Sequence, residues 1–293
     1  MLQRILGFTI GVERLDASAR AWCEAFGWEL RGEATVPETV AASWRAPAVA
    51  GHRAALLGAS TQEPAYVRLV ETHDAPPPAV AGPLPRPTLG WSAVEIGAAD
   101  PYALAGELEA GHPAFRVVVP PRPIPYDPDI HAMQVLGPDR ELLYLTRLPT
   151  DRTLLDLVAA RCRVDRPFIA VLGVRDLQAS LAFYRDVLGT PVITGSGTVV
   201  QVINDAFGLG PAWRTPLGIV KLPREFLVEV DELPPQAAPR VAPEGGLLPG
   251  IAMVSFELDS AGDAGFHHGP DGEGLELLAP VDDPVAALLW RDA

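Results

Sequence analysis

The chain has 293 residues, 48% of them hydrophobic, and a formal net charge of −14 from 37 acidic and 23 basic side chains. That apolar share is ample for a packed core, while the excess of negative charge disfavours nucleic acid and anionic lipid as partners. No apolar run reaches the roughly 20 residues of a membrane helix, and the opening MLQRILGFTIGVERLD shows no small-residue cleavage site, so a soluble cytoplasmic protein is expected.

Residues 4–12 alternate as a strand, Asp16 is placed to cap a helix running to Phe26, and Gly27 supplies its left-handed stop. Short strands are predicted at 43–45 and 54–57 and a clearer one at 66–71, closing a strand, a helix and three strands. The stretch 74–87 is too rich in proline for helix or central strand and reads as a stiff connector. The same order then repeats. A strand at 89–96 precedes a helix at 101–110 with Asp100 as cap and Pro101 in the first turn, and strands follow at 115–119, 132–135 and 142–146.

A linker helix is predicted at 153–161. A third unit opens with a strand at 168–174 and a helix at 177–188, and has a helical stretch at 199–207 before strands at 217–221 and 225–230. The fourth opens at 251–258 and closes at 274–278, with too little chain between for a helix of average length. Its lost helix leaves a sheet face that a tail helix within 283–291, with Asp283 as cap, could cover. Cys23 and Cys162 are too few and too far apart for a disulfide framework or zinc cluster and read as reduced structural thiols.

VRDLQASLAFYRDVLG, and more loosely GVERLDASARAWCEAFG, resemble the first strand-to-helix signature of the vicinal oxygen chelate superfamily, which includes glyoxalase I, bleomycin resistance proteins and extradiol dioxygenases. LGPDRELLYL and GPDGEGLELL resemble its closing hairpin. The resemblance implies an α+β fold of four βαβββ modules paired into two cup-shaped half-barrels, the fourth truncated. Units at 1–72 and 88–147 would form an N-terminal domain, followed by a linker at 148–166 and a C-terminal domain of units at 167–234 and 250–280. Two complete cups in one chain suit a monomer or a homodimer.

In the family, inward positions on the first and last strand of each unit carry metal ligands. They fall here on Gly7 and Arg68, Trp91 and Tyr144, Ile169 and Glu229, and Met253 and Glu276. None is histidine, and isoleucine and methionine offer neither oxygen nor nitrogen, so a site without metal or other cofactor is expected. Glu229 and Glu276 lie in the apolar strands FLVEV and GLELL, where alternation turns them inward. Two carboxyls in a poorly hydrated cavity would separate into an acid and a base; the competing reading pairs each with an arginine or leaves it half exposed.

Trp91, Tyr144, Ile169 and Met253 supply bulk that fits a hydrophobic or aromatic small molecule, or else fill one cup as core. Arg68 pairs with a carboxylate, holds a ligand's acidic group, or reaches out to water at a rim. His131, His267 and His268 read as structural or surface residues, and Asn204, Asp205 and Arg214 as surface of a segment that could form a lid. The expected function is proton transfer or elimination on such a molecule, of isomerase or lyase type. Sequestration without reaction and a dioxygenase with unusual ligands are the alternatives.

Overall fold

The computed structural model describes residues 1–61, 64–72, 87–125, 127–150 and 155–291, so the proline-rich connector, apart from Pro87, lies outside the described residues. Unit one is β1 (Leu2–Val12), α1 (Leu15–Phe26), β2 (Glu29–Thr35), α2 (Glu38–Ser43), β3 (Arg53–Gly58) and β4 (Tyr66–Glu71). Unit two is β5 (Gly90–Ala98), α3 (Pro101–Gly111), β6 (Arg116–Ile124), β7 (Asp127–Leu136) and β8 (Leu142–Arg147). Unit three is β9 (Val164–Val174), α4 (Leu177–Asp186), β10 (Val192–Thr194), α5 (Gln201–Phe207), β11 (Leu217–Leu222) and β12 (Phe226–Glu232). Unit four has β13 (Gly250–Leu258), β14 (Gly265–His268) and β15 (Gly274–Leu278) with no helix among them, and α6 (Pro284–Leu288) follows.

Local chemistry accounts for the helix starts. Asp100 accepts from the backbone of Tyr102 and Ala103, Asp176 from Ala179, and Asp283 from Val285 and Ala286. In unit one the N-cap is Arg14, and Asp16, expected to cap, sits in the first turn and pairs with Arg53 at 2.7 Å. Gly27 does end α1 in the left-handed conformation, at φ 68°.

Two local expectations are corrected. Residues 43–45 close a short helix instead of forming a strand, with Trp44 buried below it, and the true second strand is β2, whose mostly exposed ELRGEAT shows no apolar alternation. The described part of the expected linker helix, 155–161, is turn and irregular chain. No described helix is long and apolar enough to cross a membrane.

The strands form two sheets. One runs β14-β15-β13-β1-β4-β3-β2 and the other β10-β11-β12-β9-β5-β8-β7-β6. Units one and four therefore share a cup, and units two and three share the other. This corrects the expected pairing of one with two and three with four, and the two-domain division built on it. The first strands join back to back, β1 antiparallel to β13 and β5 antiparallel to β9.

Units one and two meet face to face instead of edge to edge: Trp22 on α1 packs on Phe115 of unit two, ring centroids 6.0 Å apart. The closing hairpins lock these faces. In GPDRE the carboxyl of Glu141 folds back to accept from Asp139 N (2.9 Å) and from the indole of Trp22 (3.0 Å). In GPDGE that of Glu273 accepts from Asp271 N (3.0 Å) and from the hydroxyl of Tyr184 on α4 (3.4 Å). The glycine opening each motif is needed because the carboxyl occupies its side-chain space: a Cβ on Gly269 would meet Glu273 Oε1 at 1.8 Å. Gly269→Ala is expected to lower stability by about 1–3 kcal/mol through this overpacking, read from the urea unfolding midpoint; an unchanged midpoint would show the hairpin is not a lock.

Candidate functional site in the cup of units two and three

The first cup, of units one and four, is closed by its own side chains. Thr9 on β1 registers with Arg68 on β4 and with Met253 on β13, and Ser255 registers with Glu276 on β15, bringing these inward positions together. Arg68 is 1% exposed, and its Nη2 donates to Glu276 Oε2 at 2.7 Å. The guanidinium also donates to Thr9 Oγ1 and to the carbonyl of Leu288 (3.0 Å), and lies over the rings of Trp44 (4.7 Å) and Trp290 (5.2 Å). Glu276 accepts further from Ser255 Oγ and, at 2.8 Å, from Trp44 Nε1. Burial alone would raise this carboxyl, but the Arg68 charge and the donors around it hold it below its ordinary value.

The tail seals this cup. A Cβ on Gly7 would touch Leu288 of α6 at 3.1 Å, so α6 packs into the cup instead of covering the outer sheet face of unit four. Arg68, Met253, Glu276 and Gly7 are thus together, as core. Of the three readings of Arg68, the carboxylate partner is the observed one.

The second cup, of units two and three, holds a cavity of about 130 Å³. Its floor and walls take Glu95 from β5, Gln134 from β7, Tyr144 and Thr146 from β8, Ile169 from β9, and Leu227 and Glu229 from β12. Register explains the convergence: Glu95 pairs with Tyr144 on one side and Ile169 on the other, and Leu227 pairs with Ile169. The mouth lies between β6 and the start of α5, where Arg122 Nη2 donates to Gln201 Oε1 at 3.0 Å.

Tyr144, Ile169 and Glu229 line the cavity as expected, whereas Trp91 does not. A bulge between Trp91 and Ala93 shifts β5 by one residue against β9, which reverses the inward face at that point. The indole of Trp91 is turned to the seam between the sheets, donating to Gly274 O at 2.7 Å and packing on Phe256. Glu95 is the inward carboxyl of this strand.

Glu95 and Asp231 were missed by sequence reasoning, although the signal was present. FLVEVDE puts Leu227, Glu229 and Asp231 on one face by simple alternation, and Glu95 is the lone charge in the apolar run WSAVEIG. The expected partner of Glu229, Glu276, belongs to the other cup. His131 bonds Tyr102 at the surface, and His267 and His268 are exposed. Asn204 is buried and ties the segment after α5 by donating to the carbonyls of Gly210 and Trp213, while Arg214 bonds Gly197 O.

Electrostatically the second cup is an acid cluster without a cation among its described lining residues except at the mouth. Burial is the main cause of each shift. It pushes Glu95 to about 7, and with repulsion from Glu95 it pushes Asp231 to about 7. Glu229, burdened further by the charges of Asp231 and Glu95, is raised well above the ordinary carboxyl range. Tyr144 is raised by burial and then by Asp231, Glu229 and Glu95. Asp231 is 1% exposed with neither side-chain oxygen hydrogen-bonded.

The donor set does not fit the divalent ion that the fold family implies. Ile169 stands at one inward position and the bulge turns Trp91 away from another. Among the described residues no three of His, Cys, Asp and Glu converge as a metal-holding group.

No family model matches this sequence, and no curated protein does either. Solved structures do match over most of its length. The chain is similar to glyoxalase I from Zea mays, at 15% identity and a TM-score of 0.60 over 94% of this chain and 92% of that one. It is similar also to a candidate dioxygenase from Bacillus subtilis, at 9% identity and a TM-score of 0.61 over 97% and 87%. At these identities the likeness is one of fold. Its four units, paired as two cups, give this protein the fold of the vicinal oxygen chelate superfamily.

Proposed function

We propose that the protein is an enzyme that moves a proton on an apolar small molecule held in the cup of units two and three, with Glu229 as the proton-transferring group and no metal in the step. The observation that carries this reading is Glu229 itself, which keeps part of its surface open to the cavity while burial raises its carboxyl well above the ordinary range. A carboxyl raised in this way is a stronger base when ionised and returns the same proton once protonated, so it can take a proton from a bound carbon acid and give it back. Tyr144 lines the same cavity and offers a hydroxyl donor to an oxygen on which charge develops. That cooperation becomes available because unit two pairs with unit three. The walls from Ile130, Leu148, Leu157, Phe168 and Ile169 favour an apolar substrate.

The test is hydrogen exchange at carbon. A panel of apolar ketones and aldehydes with acidic α-hydrogens is incubated with the protein in deuterium oxide, and incorporation is followed by mass spectrometry. Wild type is expected to accelerate exchange of at least one compound, and Glu229→Gln to slow it by about 10²–10⁴-fold, the range for a lost general acid or base. Binding of a panel member in the cavity with no exchange would favour sequestration without reaction. Exchange that survives in Glu229→Gln would remove this residue from the mechanism.

A further inference from the structure

The second cup has mostly apolar walls, and the charged side chains that line it away from the mouth are both hydrogen-bond acceptors. Glu95 and Glu229 line it, and Asp231 stands on the same face of β12 as Glu229 and Leu227 with both oxygens unpartnered. Two neutral groups add to them. Gln134 Oε1 and Thr198 Oγ1 belong to cavity-lining residues 9% and 8% exposed, and neither atom has a hydrogen-bond partner. The one basic side chain among the described cavity-lining residues is Arg122, at the mouth and bonded to Gln201 Oε1. In the first cup an arginine meets the inward glutamate; in the second no described lining residue plays that part. Buried acceptors without donors are expensive to keep, and a charged acceptor is best satisfied by a charged donor.

We infer that the ligand of this cup is a small organic cation, an ammonium or amidinium group on an apolar body about one ring in size, whose N–H groups are taken by Glu95, Glu229 and Gln134. This rests on the reading of the second cup as the functional site, and it goes beyond that reading by naming the substrate class. Ring size follows from volume: a buried cavity of about 150 Å³ accepts one benzene ring, and this one measures about 130 Å³ and opens at its mouth. The cationic end goes to the acid floor and the apolar body to the walls of Ile130, Leu157 and Phe168. Arg122 at the rim then repels a ligand that presents its charge outward, which fixes the orientation.

The test uses three probes of nearly one shape: benzylamine, benzyl alcohol and benzoate. Titration calorimetry at neutral pH is expected to show benzylammonium binding at least about tenfold more tightly than the alcohol, with benzoate weakest, since a charge-assisted hydrogen bond is roughly twice as strong as a neutral one. Run in two buffers of different ionisation enthalpy, the amine but not the alcohol should release protons, because a bound cation draws the protons off the cup's carboxyls. Glu95→Gln should weaken the amine about tenfold and leave the alcohol unchanged. Equal or tighter binding of the alcohol, or failure of the amine to bind at roughly millimolar concentration, would overturn the inference. These outcomes are independent of the exchange assay: a cup that prefers neutral probes while Glu229 still exchanges hydrogen sinks only the cation, and one that selects the amine without exchange sinks only the chemistry.

Discussion

Arg68→Met is expected to destabilise the protein by about 3–5 kcal/mol, the range for breaking a buried ion pair from one side. Arg68 is 1% exposed and its guanidinium holds Glu276, Thr9 and the carbonyl of Leu288 together under two indole rings. Methionine fills much of the volume but strands the Glu276 carboxylate with only Ser255 and Trp44 as donors. It also frees the carbonyl that anchors the end of α6, so the tail should become the first segment to open. A second change, Glu276→Leu, in the Arg68→Met background should recover most of the loss, because an apolar pair of like volume replaces an ion pair at little net cost. Urea unfolding of the single and double variants checks this. A loss below about 1 kcal/mol for Arg68→Met would mean that the pair behaves like a surface ion pair, and the closed cup would need another explanation.

Stability is expected to fall by several kcal/mol between roughly pH 5 and roughly pH 8, the reverse of the usual carboxylate trend. Glu95, Asp231 and Glu273 sit at about 7 and Glu141 at about 8, each raised mainly by burial, and Glu229 is raised as well. Unfolded carboxyls titrate near about 4. Between those limits the folded chain binds more protons than the unfolded one, so stability drops as pH rises, fully present below the unfolded value and lost through the folded one. Each tenfold difference in a group's acidity between the folded and unfolded chain is worth about 1.4 kcal/mol, and several groups act together. Glu276 works in the opposite sense: its lowered value adds stability above the unfolded pKa that is lost as pH falls towards acid. The optimum therefore lies close to the unfolded carboxyl value, at about pH 4–5. Urea midpoints across this range test it, and a midpoint that rises from pH 5 to pH 8 would contradict the buried neutral carboxyls. Asp231→Asn should flatten the alkaline fall, as the amide has no proton to lose.

Much of the fold could be read from local pattern. Asp100, Asp176 and Asp283 start helices, and 66–71 and 274–278 are strands whose alternation is plain in the sequence. β2 was hidden because its side chains are mostly exposed, and exposure erases the apolar signal. The pairing of units was hidden for a different reason. All four first strands are apolar runs of like length, and which two join is decided by face packing such as Trp22 on Phe115, between residues far apart in sequence. The site suffered from both limits. Parity placed Glu229, Tyr144 and Ile169 correctly, but a single bulged residue in β5 exchanged Trp91 for Glu95, and the wrong pairing matched Glu229 with Glu276 when its neighbours are Glu95 and Asp231.

The nested order of the units bears on how the chain assembles. β5 and β9 open consecutive units and are separated only by the rest of unit two and the linker, whereas β1 must find β13, with Leu2 opposite Leu258. Closing the longer loop carries the larger entropic penalty, and non-local contacts of this kind slow folding. The inner half-barrel can therefore form as a local event, with the outer one clasped round it last by the Arg68 knot, so that a chain caught midway would already present its ligand pocket while its first and last units were still loose.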